Sequence, residues 1–413
     1  EKIMIVEYTY RFRIYPDEKQ REFLNIQFGH CRFVYNKLLE ISKKEYEEKG
    51  IKWNYYEYKK KLPELKQEYP FLKDANSQSL QESVKNLDRA FKNFFEGKAD
   101  FPKFKKKKSR QTVHIPQHFS IEKISEKRGL LKIPKLNTPI KVKMHRQIEG
   151  AIRSISITKT PDNKYYLNVL TRKEIQPLKS TNKIAGIDVG IKEFAIIYDG
   201  KDIYHIENPK YLQKSEKRLI KLQRQLSKKQ KGGKNFEKTR QKVAKQHQKI
   251  VNQRKDFLHK VSTAITKQYD TIVLESLNIK GLMQNKILSK QIADVSWHKF
   301  IRMLEYKAKW YGKRIIKVDK FYPSSKTCNV CGYKNDQLTL SIREWQCPIC
   351  RAKHNRDENA SKNLYRIGVA HLTSGRAGTA RTKACGAGSV GGMRDFPAVY
   401  ETSSYEAGSS SIY

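Results

Sequence analysis

Four cysteines and three acids carry the chemistry that this sequence can perform. The cysteines fall in two pairs, Cys328-x2-Cys331 and Cys347-x2-Cys350, with fifteen residues between the pairs. Each pair can bend two thiolates onto one ion, and two such knuckles give the closed tetrahedral site of structural Zn2+. A redox pair would need a single CxxC in a βαβ setting, and the pattern here has two without it. A closed four-thiolate site keeps no open coordination position, so this zinc is expected to shape its module rather than to catalyse. His354 is a nearby alternative ligand that lies outside the pair spacing.

The acids are spread along the chain. Asp188 interrupts the apolar run IAGIDVG, Glu275 closes TIVLE, and Asp357 stands seven residues past Cys350 in a polar run that reads as a helix start. An ionised carboxylate inside a buried strand is costly without a cation or a donor. Taken singly, each has an ordinary explanation as an ion pair or, for Asp357, an N-cap. Together they occupy a first strand, a middle strand and a late helix start, which is the three-acid layout of RNase H-like nucleases. Phosphodiester cleavage must neutralise charge on the attacking and leaving oxygens, and two divalent ions can serve both. Mg2+ prefers oxygen ligands and keeps several waters, so a few carboxylates suffice. On this reading Asp188 bridges two Mg2+ ions, while Glu275 and Asp357 each hold one.

The elements that must position these residues follow from periodicity. Residues 3–14 alternate as a strand, and Pro16-Asp17 opens a helix. Residues 77–95 form a second helix, with Leu80, Val84, Leu87, Phe91 and Phe94 on one stripe. Its polar face carries Gln78, Gln81, Lys85 and Arg89. The loop FPKFKKKKSR (101–110), with Lys105 and Lys106, suits a phosphate backbone. Strands follow from Val113 to Leu170, with PDNK as a hairpin turn, and suggest a small β-barrel that the N-terminal strand completes. From Thr181 a third unit begins with IAGIDVG and a hairpin turning at Asp199-Gly200. Residues 210–268 read as a basic helical hairpin broken at KGGK, with Arg224 on an outer face. A strand at 271–276, a helix capped by Ser296, a strand at 314–318, the cysteine ribbon and a last helix complete an α/β core. Beyond Gly368 the composition turns to Gly, Ala, Ser and Thr and predicts a disordered tail.

The chain has 413 residues and a formal charge of +43, from 85 Lys and Arg against 42 Asp and Glu. Such a field draws polyanions, and each neutralised phosphate releases a counterion. The 23 Tyr, 17 Phe and 4 Trp add surfaces on which bases can stack. No apolar run is long enough to span a bilayer, and the start of the chain lacks the pattern of a signal peptide. Cys31 and Cys385 fall outside the ribbon, and so few cysteines fit a reducing cytoplasm or nucleoid.

Several long motifs carry a family resemblance. GIDVGIKEFAI, LESLNIKGL, SWHKFIRMLEYKAKWYGKRIIKVDKFYPSSKTCNVCG and CPICRAKHNRDENASKNL resemble TnpB, the OrfB-type protein of bacterial and archaeal insertion sequences. RFRIYPDEKQREFLNIQFGHCRFVYNKLLE, DRAFKNFFEGKADFPKFKKK and EAGSSSIY do so as well. The resemblance implies a multidomain α+β protein. A wedge β-barrel (1–15 and 111–180) would hold an inserted helical recognition domain (16–110). An RNase H-like, RuvC-type nuclease would span 181–326, with the hairpin at 210–268, and 352–368. A four-Cys zinc ribbon (327–351) would interrupt it, and 369–413 would be the tail. It implies an RNA-guided DNA endonuclease, ancestral in type to type V CRISPR effectors and working as a monomer with one guide RNA from the transposon end. The catalytic acids would be Asp188, Glu275 and Asp357, with Mg2+. Gln78 and Gln81 would read a short motif beside the target in double-stranded DNA, since Gln can pair bidentately with adenine. Asn355 departs from the Asp more usual at its position. The rivals are a transposase acting on its own element's ends, an RNA-guided binder without activity, and a zinc-ribbon module whose acids are structural.

Overall fold

The computed structural model describes residues 3–277, 289–319, 321–339, 341–374 and 399–401. The chain divides into two compact units. One comprises Ile5–Glu174 with Leu222–Lys245. The other comprises Glu1–Met4, Ile175–Lys221 and Gln246–Tyr413.

The first unit contains β1 (Met4–Tyr15), α1 (Glu18–Lys49), α2 (Tyr55–Glu68), α3 (Ser77–Phe95) and β2 (Gln111–Ile115). It continues with β3 (Ser120–Ser125), β4 (Arg128–Lys132), β5 (Ile140–Lys143), β6 (Ala151–Lys159) and β7 (Tyr165–Ile175). Asp17 starts α1 through a capping box: its side chain accepts from the Gln20 N–H, and the Gln20 side chain accepts from the Asp17 N–H. Gly50, at φ 66°, ends the helix in the left-handed conformation that lacks a steric cost only for glycine. Leu80, Val84, Leu87 and Phe91 of α3 are buried in one cluster with Leu24, Phe28, Val34 and Leu38 of α1. The seven strands lie in the order β2-β6-β7-β1-β5-β4-β3. β1 thus sits centrally and the helical block is inserted after it, as the sequence predicts. The seven strands form the one sheet expected of the small barrel, with β2 and β3 as its edge strands.

The second unit is built on β8 (Ile184–Val189), β9 (Glu193–Tyr198), β10 (Ile203–Glu207), β11 (Thr271–Glu275) and β12 (Arg314–Val318), with a short edge strand β15 (Val399–Glu401). Its helices are the start of α4 (Tyr211–Ser227) and the end of α5 (Lys234–Gln268), whose facing ends belong to the first unit, with α6 (Ser289–Val295), α7 (Trp297–Tyr311) and α8 (Arg356–Ser374). β13 (Glu344–Gln346) and β14 (Lys353–Asn355) form a separate two-stranded ribbon. The strand order is β10-β9-β8-β11-β12-β15. β10, β9 and β8 run antiparallel, β8, β11 and β12 run parallel, and β15 returns antiparallel.

Alternation along the strands sends residues to two faces. Ala185, Ile187, Ile272 and Leu274 join Leu258 and Ile265 of α5 and Phe300 and Leu304 of α7 in one cluster. Val273 and Ile316 face the other way, onto Leu364 and Ile367 of α8. α8 lies unusually close to β8. A Cβ on Gly186 would fall 2.2 Å from the Ser361 carbonyl oxygen and 2.4 Å from the Tyr365 nitrogen. Both are backbone atoms of α8, so the helix itself would have to move. Gly186→Ala is therefore expected to destabilise the second unit by about 3 kcal/mol, at the upper end of overpacking costs. Urea unfolding of the variant against wild type measures this, and a loss below about 1 kcal/mol would disprove the close approach.

Three local expectations need correction. Ser296 precedes α7 but does not cap it: its hydroxyl donates back to the Ala293 carbonyl at 2.9 Å, with the backbone at φ 58°. The preceding helix α6 ends there and captures the hydroxyl. The last helix does not stop at 368 but runs to Ser374, and Val399–Glu401 pairs with β12 at Val318↔Val399 and Ile316↔Glu401. Composition scores what a segment can bury alone, whereas an edge strand takes its backbone hydrogen bonds from a sheet already formed. The remainder of the expected tail lies outside the described residues. α2 escaped notice because Pro63 sits inside it; Tyr58, Leu62 and Leu65 still form a short buried stripe.

Candidate acid and metal centre

Asp188 and Gly186 are two apart on β8 and so project to the same face, the one that α8 covers. In the parallel pair β8–β11, Val273 lies opposite Gly186 and Leu274 opposite Ile187. One further step sets Glu275 beside Asp188 on that face. α8 begins at Arg356 and brings Asp357 to the same end. The convergence is visible in the electrostatics. Burial, then the charges of Glu275 and Asp357, push the Asp188 carboxyl well above the usual carboxylate range, against a smaller opposing pull from Arg356. Burial also raises Glu275, although a hydrogen bond from the Ser324 hydroxyl and the charge of Arg356 lower it. A half-buried acid repelled by two others draws positive charge, and carboxylate oxygens are the donor type of a hard divalent cation, although the three acids do not close to within 4.8 Å of one another as the four cysteines do.

Asp357 is not the cap of its helix. The Asn355 side-chain oxygen accepts from the N–H groups of Asp357 at 3.0 Å and Glu358 at 3.2 Å. Capping is served equally by Asn and Asp, so the departure at Asn355 leaves the helix start intact and frees the Asp357 carboxylate. That carboxylate instead receives Arg343 Nη1, at 2.9 Å to Oδ2 and 3.1 Å to Oδ1. Arg343 lies just ahead of β13, and its carbonyl accepts from the Arg356 N–H at 2.7 Å.

The cysteines converge as their spacing predicts. All four sulfurs lie within 4.8 Å of one another. Cys328 Sγ is 3.6 Å from Cys350 Sγ, and Cys331 Sγ is 3.5 Å from Cys347 Sγ. Thiolates at about 2.3 Å from a tetrahedral zinc stand about 3.8 Å apart, so the cluster fits one zinc ion. Burial raises the Cys347 thiol, but the N–H groups of Cys350 and Ile349 and the neighbouring sulfurs bring it to about 7. At Cys350 the Ala352 N–H lowers the thiol, but burial and the neighbouring sulfurs push it up to about 12. His354 sits 3.1 Å from Cys328 Sγ through Nε2 and against the Trp345 ring, supporting a cysteine rather than replacing one.

Two buried amides join the centres, and the spacing did not reveal them. Asn359 donates to the Thr327 carbonyl at 2.7 Å and accepts from the Asn329 N–H at 3.0 Å. Asn363 donates to the carbonyls of Thr327 at 2.6 Å and Ser324 at 2.7 Å. The segment they grip carries Ser324, which holds Glu275, and Cys328, a zinc ligand. Their positions in DENASKN, four apart on one helical face, are the signal that could have found them.

The expected nucleic-acid contacts lie elsewhere, in the first unit. Gln78 is half-buried and donates to Gln117 at 3.0 Å. Gln81 and Arg89 are half-buried, and Lys85 pairs with Glu82 at 2.5 Å. The Lys105 stem meets solvent, but its ammonium is hemmed in 3.8 Å over the Tyr35 ring, and burial lowers it to about 8. Lys106 and Arg224 are exposed. No described helix is long and apolar enough to cross a membrane.

Fold and site together define an α+β protein of two units, the second carrying a four-cysteine cluster suited to a metal and three half-buried acids. Residues 158–286 match the family model described as "Probable transposase" of the OrfB type, and residues 297–364 match the "Cas12f1-like, TNB domain". Residues 4–52 match a model described as "Helix-turn-helix domain", although that segment here is β1 followed by the single helix α1. A "Putative RNA-guided DNA endonuclease" of Streptomyces pristinaespiralis is 34% identical over 90% of this chain and 91% of its own length. "Putative RNA-guided DNA endonuclease InsQ" of Escherichia coli K12 is 30% identical over 89% of this chain and 94% of its own. A distant likeness, with TM-score 0.49 and 15% identity, covers 87% of this chain and 99% of the protein in a Cas12f1–sgRNA–target DNA complex. The chain belongs to the TnpB family.

Proposed function

We propose that this chain is an RNA-guided DNA endonuclease that cleaves double-stranded DNA at one RuvC-like, RNase H-type site. The observation that carries the reading is the Asp188 carboxyl, held on the sheet against Glu275 and Asp357 with too little positive charge to balance them. Relatives named as RNA-guided endonucleases along nearly the whole chain support it. Mg2+, as one or two ions, would be held by Asp188, Glu275 and Asp357; when bound it supplies the charge stabilisation that phosphodiester hydrolysis needs. The protein's own part is to hold three carboxylates at one end of a rigid sheet. Ser324 fixes the rotamer of Glu275. Arg343, at the rim, offers a guanidinium that can grip a phosphate oxygen bidentately.

The first unit would then be the wedge and recognition region, binding a guide RNA from the transposon end and reading a short motif beside the target. Gln81 is better placed for that than Gln78, whose amide is already committed to Gln117. Lys105, Lys106, Lys85, Arg89 and Arg224 would contact backbone phosphates. The protein would act in the cytoplasm, at the nucleoid, as one chain with one RNA. Conversion of Cys328, Cys331, Cys347 and Cys350 into a zinc site would keep the ribbon folded beside the acids.

A second reading, a transposase acting on its own element's ends, is favoured by the family description of residues 158–286. Sequencing the RNA that copurifies with the full chain separates the two. A defined species with a variable 3′ end is expected for guide use. Random cellular RNA, together with joining of transposon ends by the chain alone, would overturn it.

A further inference from the structure

His205 occupies a position that neither the sequence pattern nor the acid centre explains. It lies on β10 opposite Ile196 of β9, and Ile196 lies opposite Asp188 of β8. Residues opposite one another across a sheet project to the same face. Asp188, Ile196 and His205 therefore form one row beneath the N-terminal end of α8. The imidazole is engaged on both sides. Nδ1 is 2.5 Å from Glu193 Oε2 on β9, and Nε2 is 3.5 Å from Glu358 Oε1 on α8. Its two nitrogens point to different carboxylates, so the group is a bridge between two elements and not a chelate for an ion.

Glu358 directly follows Asp357. Unpaired, it would add a fourth negative charge beside an acid centre already short of cations. At 3.5 Å from His205 Nε2, it faces a ring on the sheet, and the turn that carries Asp357 makes contact with β10 there. The rest of α8 has other anchors. Its middle rests on Gly186, and Tyr365 packs edge-on against Tyr198 at 5.2 Å. The first turn is held by the Asn355 cap, by Arg343 on Asp357 and on the Arg356 N–H, and by Asn359; the His205 contact is what ties it to β9 and β10.

We propose that His205 is a positioning residue: by bridging Glu193 and Glu358 it fixes the first turn of α8 and sets the Asp357 carboxylate against Asp188. The proposal rests on the reading of the three acids as a divalent-metal site. It predicts that losing the bridge weakens the metal site without unfolding the protein, since outer-shell partners typically contribute about 10-fold or more to metal affinity.

The test uses the full chain with its RNA and follows Mn2+ binding by electron paramagnetic resonance, with Asp188→Ala defining the signal that belongs to the acid centre. His205→Phe keeps the ring volume and removes both nitrogens; Glu358→Ala removes its partner. Each is expected to weaken Asp188-dependent Mn2+ binding about 10-fold, with zinc content and melting temperature near wild type. The double variant should bind no worse than the weaker single, because both changes break one bridge. Wild-type Mn2+ binding in His205→Phe, or losses that multiply in the double variant, would overturn the proposal. Absence of any Asp188-dependent Mn2+ signal in wild type would overturn it and the metal reading together. DNA cleavage measured in parallel keeps the two claims apart: wild type that binds Mn2+ but does not cut guide-matched DNA overturns the nuclease reading alone, while the binding data still decide the role of His205.

Discussion

On the proposed nuclease reading, Asp188→Asn is expected to abolish guide-dependent DNA cleavage, with a rate loss of at least about 10³-fold, or ~4 kcal/mol of transition-state stabilisation. Binding of RNA and target is expected to stay within about twofold, because the residues proposed to hold the guide RNA and read the target belong to the first unit and Asp188 to the second. The same change raises the melting temperature of the Mg2+-free protein. Burial and the charges of Glu275 and Asp357 lift the Asp188 carboxyl above its unfolded value. A raised acid binds its proton more tightly in the folded state, so the folded protein loses stability as pH rises from the unfolded to the folded value. Above that interval the full penalty is present; below it there is none. Asparagine carries no charge and escapes the penalty at every pH. Melting curves at pH 5 and pH 8, in buffer without Mg2+ but with zinc retained, should converge for Asp188→Asn and diverge for wild type, which is less stable at pH 8. Cleavage at the wild-type rate, or a variant less stable than wild type at pH 8, would sink the assignment.

Cys347→Ser empties the ribbon of zinc, and its effect travels. A serine hydroxyl does not replace a thiolate on a soft-ligand site, and a structural zinc contributes folding energy directly. The cluster sulfurs and Trp345, Leu338 and His354 make up almost the whole core of this small module. Its loss should loosen the segment that Asn359 and Asn363 hold through the carbonyls of Ser324 and Thr327. Ser324 then no longer fixes Glu275. Native mass spectrometry should show zinc falling from one per chain to near zero, with cleavage reduced about 10-fold or more, in keeping with outer-shell effects on metal centres. Full zinc occupancy in the variant would refute the four-thiolate site; lost zinc with intact cleavage would refute the link to Glu275.

The sequence was most legible where a residue type has few alternative uses. Two CxxC pairs have one economical geometry, and the sulfurs meet as expected. The acids stood out because a carboxylate in IAGIDVG or TIVLE conflicts with its surroundings, and the parallel register of β8 and β11 carries Asp188 and Glu275 to neighbouring strand ends. The long stripe of α3 and the start of α1 at Asp17 followed from strong local rules. Polar residues with many possible partners were opaque. Nothing in the spacing shows that Arg343 reaches Asp357, that His205 bridges two glutamates, or that Asn355 rather than Asp357 caps α8. Such pairings depend on which elements a helix crosses, and that is fixed by packing at Gly186, which carries no side chain. The seven strands form the one sheet expected of the small barrel, but strand alternation marks faces and does not say how far two edges approach.

The order of the acids along the chain has a consequence for synthesis. Asp188 and Glu275 emerge before the helix that packs on Gly186 and delivers Asp357. While a ribosome still shelters residues beyond 350, the sheet face that α8 will cover is bare and the third ligand is missing. A growing chain can fold its first unit and still be chemically inert. On the proposed nuclease reading, cutting ability would not precede the folding of that helix.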